Sequence, residues 1–533
     1  MSATQLRLAS WILKDHYGEI VANVCLQILR SGWATLASII KETALPMSKI
    51  KRAVCVLIQH NMVKFQKGAR GQIMYSAQIS NILAIVHFPK LVYCAKTAFG
   101  NAAELIIKEL LLHGKMTMSS VVTNVTNQLL DPALNQAEEI DQHNVADQFV
   151  KLVEEHLIKR HLGDDKGTID SKEEQDANLG INKPENVQYD LPVGYFKSGS
   201  GKRKAGPSDG GPAPKKRKNS SEQVSVNFED SGMLWQVNII QFYHCFVNEM
   251  VENAVKNRLD ESAAEIVKVM LNLTILSRDY FSPETKPVSV NDIDQRLNGS
   301  LNLGRSKITQ YLNLLQDDEV GFVSKVGENA GGVYVVNIKK SVEAVCLQSI
   351  ESVIRERCGS KSLRIFNLLR IKRHLEQKQV EDLIMVPSKE AKERLYNLLS
   401  EKFINLQEVP RATDYAPSRT FYLFSVNVSQ VCRMLLDRSY KTVGNLMCRR
   451  NHETEEQKRL VEKSEKINST ILALKTQGMD DDSPAVQEVK EMMTNQETQQ
   501  LAKLQTVVSK LEQGELQVAD TILTFTQFLA LSS

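Results

Sequence analysis

The sequence predicts a mainly α-helical chain with small β wings, organised as four tandem extended winged-helix units followed by a C-terminal antiparallel coiled-coil hairpin. Three observations predict it. At 533 residues the chain is too long for one ordinary core. Aliphatic residues are plentiful while Gly (26) and Pro (14) are scarce, which favours helices joined by short connections. One apolar pattern then recurs along the chain, and a recurrence of this kind decides architecture before any single motif does.

In each recurrence a helical stretch ends in two adjacent apolar residues, passes three mostly polar ones (four in the imperfect copy at Leu314-Leu315) and enters a short β-prone segment. The pairs are Leu57-Ile58, Leu152-Val153, Leu314-Leu315 and Leu398-Leu399, leading to Met62-Val63, Leu157-Ile158, Val320 and Phe403-Ile404. A shorter helix precedes each, from Thr35 to Thr43, Thr117 to Leu130, Val290 to Leu297 and Glu376 to Ile384. Alternating sequence broken by a turn follows three of the pairs, around Gly68 and Gly71, around Gly331-Gly332, and around Pro410 to Pro417. A hairpin after a helix-turn-helix is a winged helix. The second copy shows no clear wing, because Arg160-His161-Leu162 runs straight into polar sequence.

These spacings divide the chain into winged helices at 1–80, 81–162, 223–340 and 341–427, an insert at 163–222 and a helical tail at 428–533. The insert lacks periodic apolar residues and is expected to be a disordered linker, since it buries too little surface to offset ordering entropy. Its charge is blocked, with acids predominating from Asp164 to Asp190 and bases from Leu191 to Lys218. The clusters Lys202-Arg203-Lys204 and Lys215-Lys216-Arg217-Lys218 match a bipartite nuclear-import signal, which predicts a nuclear protein. In the tail, Leu460, Ile467, Ile471 and Leu474, and then Leu501, Leu504, Val508, Leu511, Val518, Ile522, Phe525 and Leu529, follow coiled-coil steps. Ser464 and Glu515 interrupt the seam, and a break near Ser483-Pro484 allows the second helix to return as a hairpin.

Several function classes are excluded by what the residues do not provide. A net charge of +3 rules out a polycation that coats nucleic acid indiscriminately. The eight cysteines include no C-x-x-C pair, the ten histidines are dispersed, and no metal or other cofactor is expected. No uninterrupted apolar run approaches the ~18 residues that cross a bilayer, so no membrane partner is expected. The nearest phosphate-loop lookalike, Gly194 to Gly201, has Ser200 where Lys belongs, and no G-x-S-x-G elbow occurs. No catalytic residue is assigned.

What remains is nucleic-acid and protein contact. The helix before a wing is the one that enters a DNA groove in reading domains. The first unit offers Lys49, Lys51 and Arg52 there, with Ser48 beside them and Lys64, Lys67 and Arg70 on the wing; the third offers Arg305 and Lys307. In the fourth, Lys389, Lys392 and Arg394 are interleaved with Glu390 and Glu393, which weakens their field. Phosphate contact without sequence-specific readout is the expectation.

The order of four winged helices, a charged insert after the second and a helical hairpin resembles the third-largest, winged-helix subunit of DNA-directed RNA polymerase III. The strings Ala53 to Asn61, Glu109 to Ser119, Gln377 to Leu383 and Ala416 to Leu423 carry the likeness. The resemblance implies a non-catalytic member of a three-subunit initiation subcomplex that supports promoter-directed initiation and DNA opening for transfer RNA, 5S ribosomal RNA and other small transcripts. It implies as partners the other two subcomplex subunits, the polymerase clamp, the recruiting initiation factor and single-stranded DNA. By the same analogy the whole polymerase would also sense cytosolic DNA, with a cytosolic pool. The competing reading is a proteasome-lid or translation-initiation scaffold, which predicts a single helix-wing unit.

Overall fold

The computed structural model describes residues 2–68, 71–129, 142–161, 187–191, 232–279, 282–297, 304–328, 331–411, 420–476 and 483–532. The first unit opens with α1 (Ala3–Tyr17), whose capping box joins Ser2 and Gln5 through bonds of 3.2 and 3.0 Å. There follow α2 (Glu19–Ser31), β1 (Ala34–Thr35), α3 (Leu36–Thr43), α4 (Met47–Gln59), β2 (Val63–Lys67) and β3 (Ile73–Ala77). β3 lies between β1 and β2 in one antiparallel sheet.

The stretch from Ile79 to Phe99 is long and apolar enough to cross a membrane. Here it is broken into α5 (Ile79–Leu83), a 3-10 turn (Ala84–His87) and α6 (Phe88–Phe99), and it places Ile82 and Ile85 in one core and Leu91 and Ala95 in the next. Its hydropathy thus serves to join two units.

The second unit continues with α7 (Asn101–His113), α8 (Met118–Leu129), α9 (Gln142–Glu154), β4 (Ile158–Arg160) and β5 (Trp235–Val237). β4 and β5 are antiparallel partners, and Met116 adds a bridge to Trp235. This corrects the expectation that the second unit lacks a wing: the ribbon closes across the insert, and its return strand falls in the stretch that spacing assigned to the third unit. Three residues are too few for an alternating pattern to announce them. The segment Val187–Tyr189, within the expected disordered insert, forms a 3-10 turn, and the Tyr189 ring stacks on His156 at 3.7 Å. The import-signal residues, Lys202 to Lys204 and Lys215 to Lys218, lie outside the described residues.

After α10 (Ile239–Arg258), the third unit comprises α11 (Glu261–Thr274), β6 (Val288–Ser289), α12 (Val290–Leu297), α13 (Arg305–Asp317), β7 (Val323–Gly327) and β8 (Val333–Val336). The fourth comprises α14 (Ile338–Cys358), α15 (Ser360–Lys372), β9 (His374–Glu376), α16 (Gln377–Ile384), α17 (Ser388–Ser400), β10 (Asn405–Pro410) and β11 (Thr420–Ser425). Both sheets repeat the first unit's order, with the last wing strand in the middle. The tail is α18 (Val428–Glu456), α19 (Lys458–Thr476), α20 (Pro484–Glu491) and α21 (Asn495–Ser532), with Pro484 in the first helical turn. The expected hairpin forms, but the main partner of α21 is α18 rather than the 460–474 segment.

Among the described residues three apolar cores result, not four. The first unit closes on Tyr440, Val443 and Met447 of α18, the second on Phe242 and Phe246 of α10, and the third and fourth share one core through α14. α21 enters all three: Ile522 the first, Leu523 the second, and Phe525 with Phe528 the shared one. The first two units also touch directly. Gln59 Nε2 donates to the Lys115 carbonyl at 2.6 Å and Asn61 Nδ2 to Gln236 Oε1 at 2.6 Å.

Gly444 of α18 lets α1 approach, because a Cβ there would lie 2.2 Å from the Trp11 ring. Gly444→Ala is expected to cost about 1–3 kcal/mol through overpacking. The thermal midpoint should fall, and should recover when Trp11→Leu is added; an unchanged midpoint in the single variant would contradict the contact.

His87 is 5% exposed and sits edge-on to Tyr243 at 5.9 Å between ring centroids. Burial pulls its pKa from 6.5 to about 4, with Asp520 opposing and Lys90 reinforcing the shift. The folded value is the lower one, so the unfolded chain takes up this proton first. Stability is complete above about pH 6.5 and is lost as pH falls toward 4. Going from pH 7 to 5.5 should remove about 1 kcal/mol through this group. The thermal midpoint should drop accordingly, and by less in His87→Gln.

Candidate nucleic-acid interface

α4 owes its orientation to the turn before it. Ala44 is left-handed (φ 53°), Leu45 points inward and Pro46 caps the helix. The fourth unit repeats this geometry with Met385 (φ 57°), Val386 and Pro387. Ile50, Ala53, Val54 and Leu57 then face the core. At steps of three and four residues the opposite stripe consists of Ser48, Lys51, Arg52 and Cys55, all exposed, with Lys49 one turn before Arg52. On the wing Lys64 and Lys67 are exposed, and Arg70 lies outside the described residues. Among the described residues none of these cations is held in an ion pair.

The equivalent helices elsewhere differ. α9 exposes Asp147, Glu154 and Glu155 with one lysine, Lys151. On α13 the Arg305 guanidinium lies over the wing backbone, where a Cβ on Gly331 would meet its Nη2 at 2.2 Å. Lys307 is exposed, but the same unit presents Leu314 (56% exposed) and Val326 (62%). On α17, Glu390 is paired with Lys361 at 2.7 Å and approached by Arg394 at 4.0 Å, so that face is largely neutralised. Lys389 and Lys392 stay exposed beside Glu393, and Met385 is 91% exposed. Sequence reasoning grouped Arg305 and Lys307 with the first unit's cations; both are exposed, and the Arg305 guanidinium lies beside Gly331 of its own wing. It also passed over Trp33, 47% exposed at the edge of the first wing sheet, because exposure has no signature in charge or periodicity.

Among the described residues no cluster of three or more His, Cys, Asp or Glu is placed to hold a metal ion. The described cysteines are free; Cys346 and Cys432 meet at 3.2 Å between sulfurs in the shared core, where the hydrogen bond to the Cys432 thiol and then burial push the Cys346 pKa up.

Comparison with known proteins adds the decisive observation. Residues 7–68 match the family described as the RNA polymerase III subunit RPC82 helix-turn-helix domain, 147–345 that of RNA polymerase III subunit RPC82, 350–426 the POLR3C C-terminal winged-helix domain, and 459–524 the RPC3 helical hairpin domain. DNA-directed RNA polymerase III subunit RPC3 of Rattus norvegicus is 39% identical over 531 residues, covering 99% of both chains. The Danio rerio protein of that name is 40% identical over 540 residues and the Homo sapiens protein 37% over 537, each again covering 99% of both. The chain belongs to the RPC3 family of RNA polymerase III subunits.

The family segments fall on the architecture described above. The first spans α1 to β2, the RPC82 segment runs from α9 through the return strand β5 into α14, and the hairpin segment covers α19 to α21. An RPC3-type chain is therefore part of a multisubunit nuclear transcription machine.

The candidate interface is tested by charge removal. Replacing Lys49, Lys51 and Arg52 together with Gln should weaken binding of an oligo(dT) strand. The slope of log affinity against log salt should fall by about 2, at roughly 0.7 for each phosphate no longer neutralised. Lys389→Gln with Lys392→Gln should leave the slope unchanged. An unaltered slope in the triple variant would discard the α4 face.

Proposed function

We propose that this polymerase III subunit is non-catalytic and acts within a three-subunit initiation subcomplex, presenting the α4 face of its first unit to the DNA phosphate backbone. The observation that carries the reading is the contrast among the four helices in the groove-entering position: α4 carries three exposed cations without an ion pair among the described residues, while α9 is mainly acidic, α13 carries two cations in a unit that also exposes Leu314 and Val326, and α17 is interleaved with acids. A helix with three free cations supplies phosphate affinity without base readout, which suits a subunit that meets many promoters.

The remaining surfaces are assigned to protein. Leu314, Val326, Met385 and Tyr396 (49% exposed) are large apolar groups on the third and fourth units, the composition of partner-facing patches. Their partners on this reading are the two further subcomplex subunits, the polymerase clamp and the recruiting initiation factor. The contribution is to promoter-directed initiation and DNA opening for transfer RNA, 5S ribosomal RNA and other small RNAs, with single-stranded DNA as the preferred nucleic-acid form.

The test is recovery and depletion. The tagged chain purified from nuclei should bring down the large polymerase III subunits and two smaller ones in constant ratio, and depletion should reduce new transfer RNA synthesis. Recovery of proteasome-lid or translation-initiation subunits in place of the polymerase would overturn the assignment.

A further inference from the structure

Two pairs of cysteines meet inside this chain, and they differ in what can reach them. Cys346 and Cys432 touch in the shared core, where both are fully buried. Cys94 of α6 and Cys245 of α10 also meet, the Cys245 thiol donating a hydrogen bond to the Cys94 sulfur, but both keep part of their surface in solvent. Of the other four, Cys25 and Cys358 are buried and Cys55 and Cys448 are exposed.

The seam that holds the accessible pair is fixed by its neighbours. His87, just before α6, lies edge-on to Tyr243 of α10, and Lys90 Nζ sits 4.8 Å from the Phe246 ring centroid. Both cysteines pack against the second unit's core. Lys90 also reaches Asp520 of α21 at 2.7 Å, so three helices hold the seam together. Cys94 lies one turn after Lys90 on α6, and Glu249 lies one turn after Cys245 on α10. The charges of both act on Cys94, while those of Glu155 and Arg278 act on Cys245.

The two sulfurs are not equivalent. The hydrogen bond from Cys245, reinforced by Lys90, draws the Cys94 pKa down against burial and Glu249. The same bond, followed by burial, pushes the Cys245 pKa up. Cys94 is thus the thiol that gives up its proton and Cys245 the one that keeps it. Thiolate is the reactive form of cysteine, and an accessible, acidified thiol beside a second thiol is the arrangement that oxidises reversibly. The pair in the shared core has the contact without the access.

We propose that Cys94 and Cys245 form a reversible oxidation site for hydroperoxides, closing to a disulfide that locks α6 to α10. The Cys94 thiolate attacks the terminal oxygen of the hydroperoxide and the O–O bond breaks. The sulfur is oxidised by two electrons to a sulfenic acid, and the departing alkoxide or hydroxide takes up the proton that Cys94 shed. Cys245 then attacks that sulfur; an S–S bond replaces the S–OH bond, and the Cys245 proton leaves with the hydroxyl as water. Two thiols and one hydroperoxide give one disulfide, one water and one alcohol, or a second water where the oxidant is hydrogen peroxide. A thiol reductant of the glutathione class reverses the change by exchange. The bond closes a loop from 94 to 245 that contains the whole insert, and a crosslink across so long a loop restricts the unfolded chain.

The experiment treats the full reduced chain with hydrogen peroxide and maps its disulfide-linked peptides. Cys94 and Cys245 should become closed to iodoacetamide together, appear in one linked peptide pair, and reopen on addition of glutathione. The thermal midpoint of the oxidised chain should rise. In Cys245→Ser the sulfenic acid has no resolving partner, so dimedone should trap it at Cys94; in Cys94→Ser dimedone should leave Cys245 unlabelled. The site is overturned if both thiols of the unaltered chain stay open to iodoacetamide after peroxide, or if Cys346 and Cys432 link in preference. Links between chains through Cys55 or Cys448, with Cys94 and Cys245 still reduced, would count equally against it. A linked pair that lowers the midpoint would show a forced bond and sink the lock between α6 and α10. Dimedone labelling of Cys245 in Cys94→Ser, without labelling of Cys94 in Cys245→Ser, would overturn the roles given to the two sulfurs.

Discussion

The last turns of α21 are the constraint on which the architecture depends. Over seven residues the helix sends Ile522 into the first unit's core, Leu523 into the second's, and Phe525 and Phe528 into the core shared by the third and fourth. Each of these side chains is at most 5% exposed, and burial of one such group is worth roughly 1.5–3 kcal/mol. A helix apolar on all sides is stable only when surrounded. Four small units that would each be marginal alone are thereby made one structure, since small domains bury too little surface to be strongly stable in isolation.

Polar contacts then set the angle at which the units meet this helix. Arg450 of α18 donates through Nε to Glu515 of α21 at 3.1 Å and through Nη2 to Asp15 of α1 at 3.2 Å, so one guanidinium ties three elements. Asn451 adds a bond of 3.1 Å to Asp15. Burial pushes the Glu515 carboxyl pKa up, against the opposing pull of Arg450, so the guanidinium is what keeps a charge tolerable there. Glu515 is also the polar residue that breaks the coiled-coil seam of α21. Its place in the pattern marks where Arg450 of α18 joins α21 to Asp15 of α1.

Much of this was legible in the sequence where the signal is local. The adjacent apolar pairs, the short preceding helices and the wing turns placed α3, α4, β2 and β3, and their counterparts in the third and fourth units, within a few residues, because period and turn chemistry act over neighbours. Pairing of β4 with β5 was not legible: three-residue strands carry no alternation, and the insert between them separates Arg160 from Trp235. Nor was the role of α21, since Ile522 and Leu523 side by side violate a two-helix seam without saying which cores they enter. The candidate site divides the same way. The cations of α4 can be read from spacing, but neutralisation of Glu390 by Lys361 and the seating of Arg305 on Gly331 are made by residues 26–29 positions away, which spacing does not report.

These two levels of organisation bear on each other. If the units were loosely strung, a basic stripe on one of them would sample many orientations, and its charge would act only as a local concentration of cations. Because α1 is seated on α18 and Ile522 fixes the first core to α21, the α4 stripe and the wing face hold one direction relative to the apolar patches of the third and fourth units. A chain of net charge +3 can then present positive potential on one side and protein-binding surface on another. On the function proposed above, orientation is what this subunit contributes to the polymerase: attachment at one surface becomes a defined position for nucleic acid at another, and the packing of a single C-terminal helix makes that position definite.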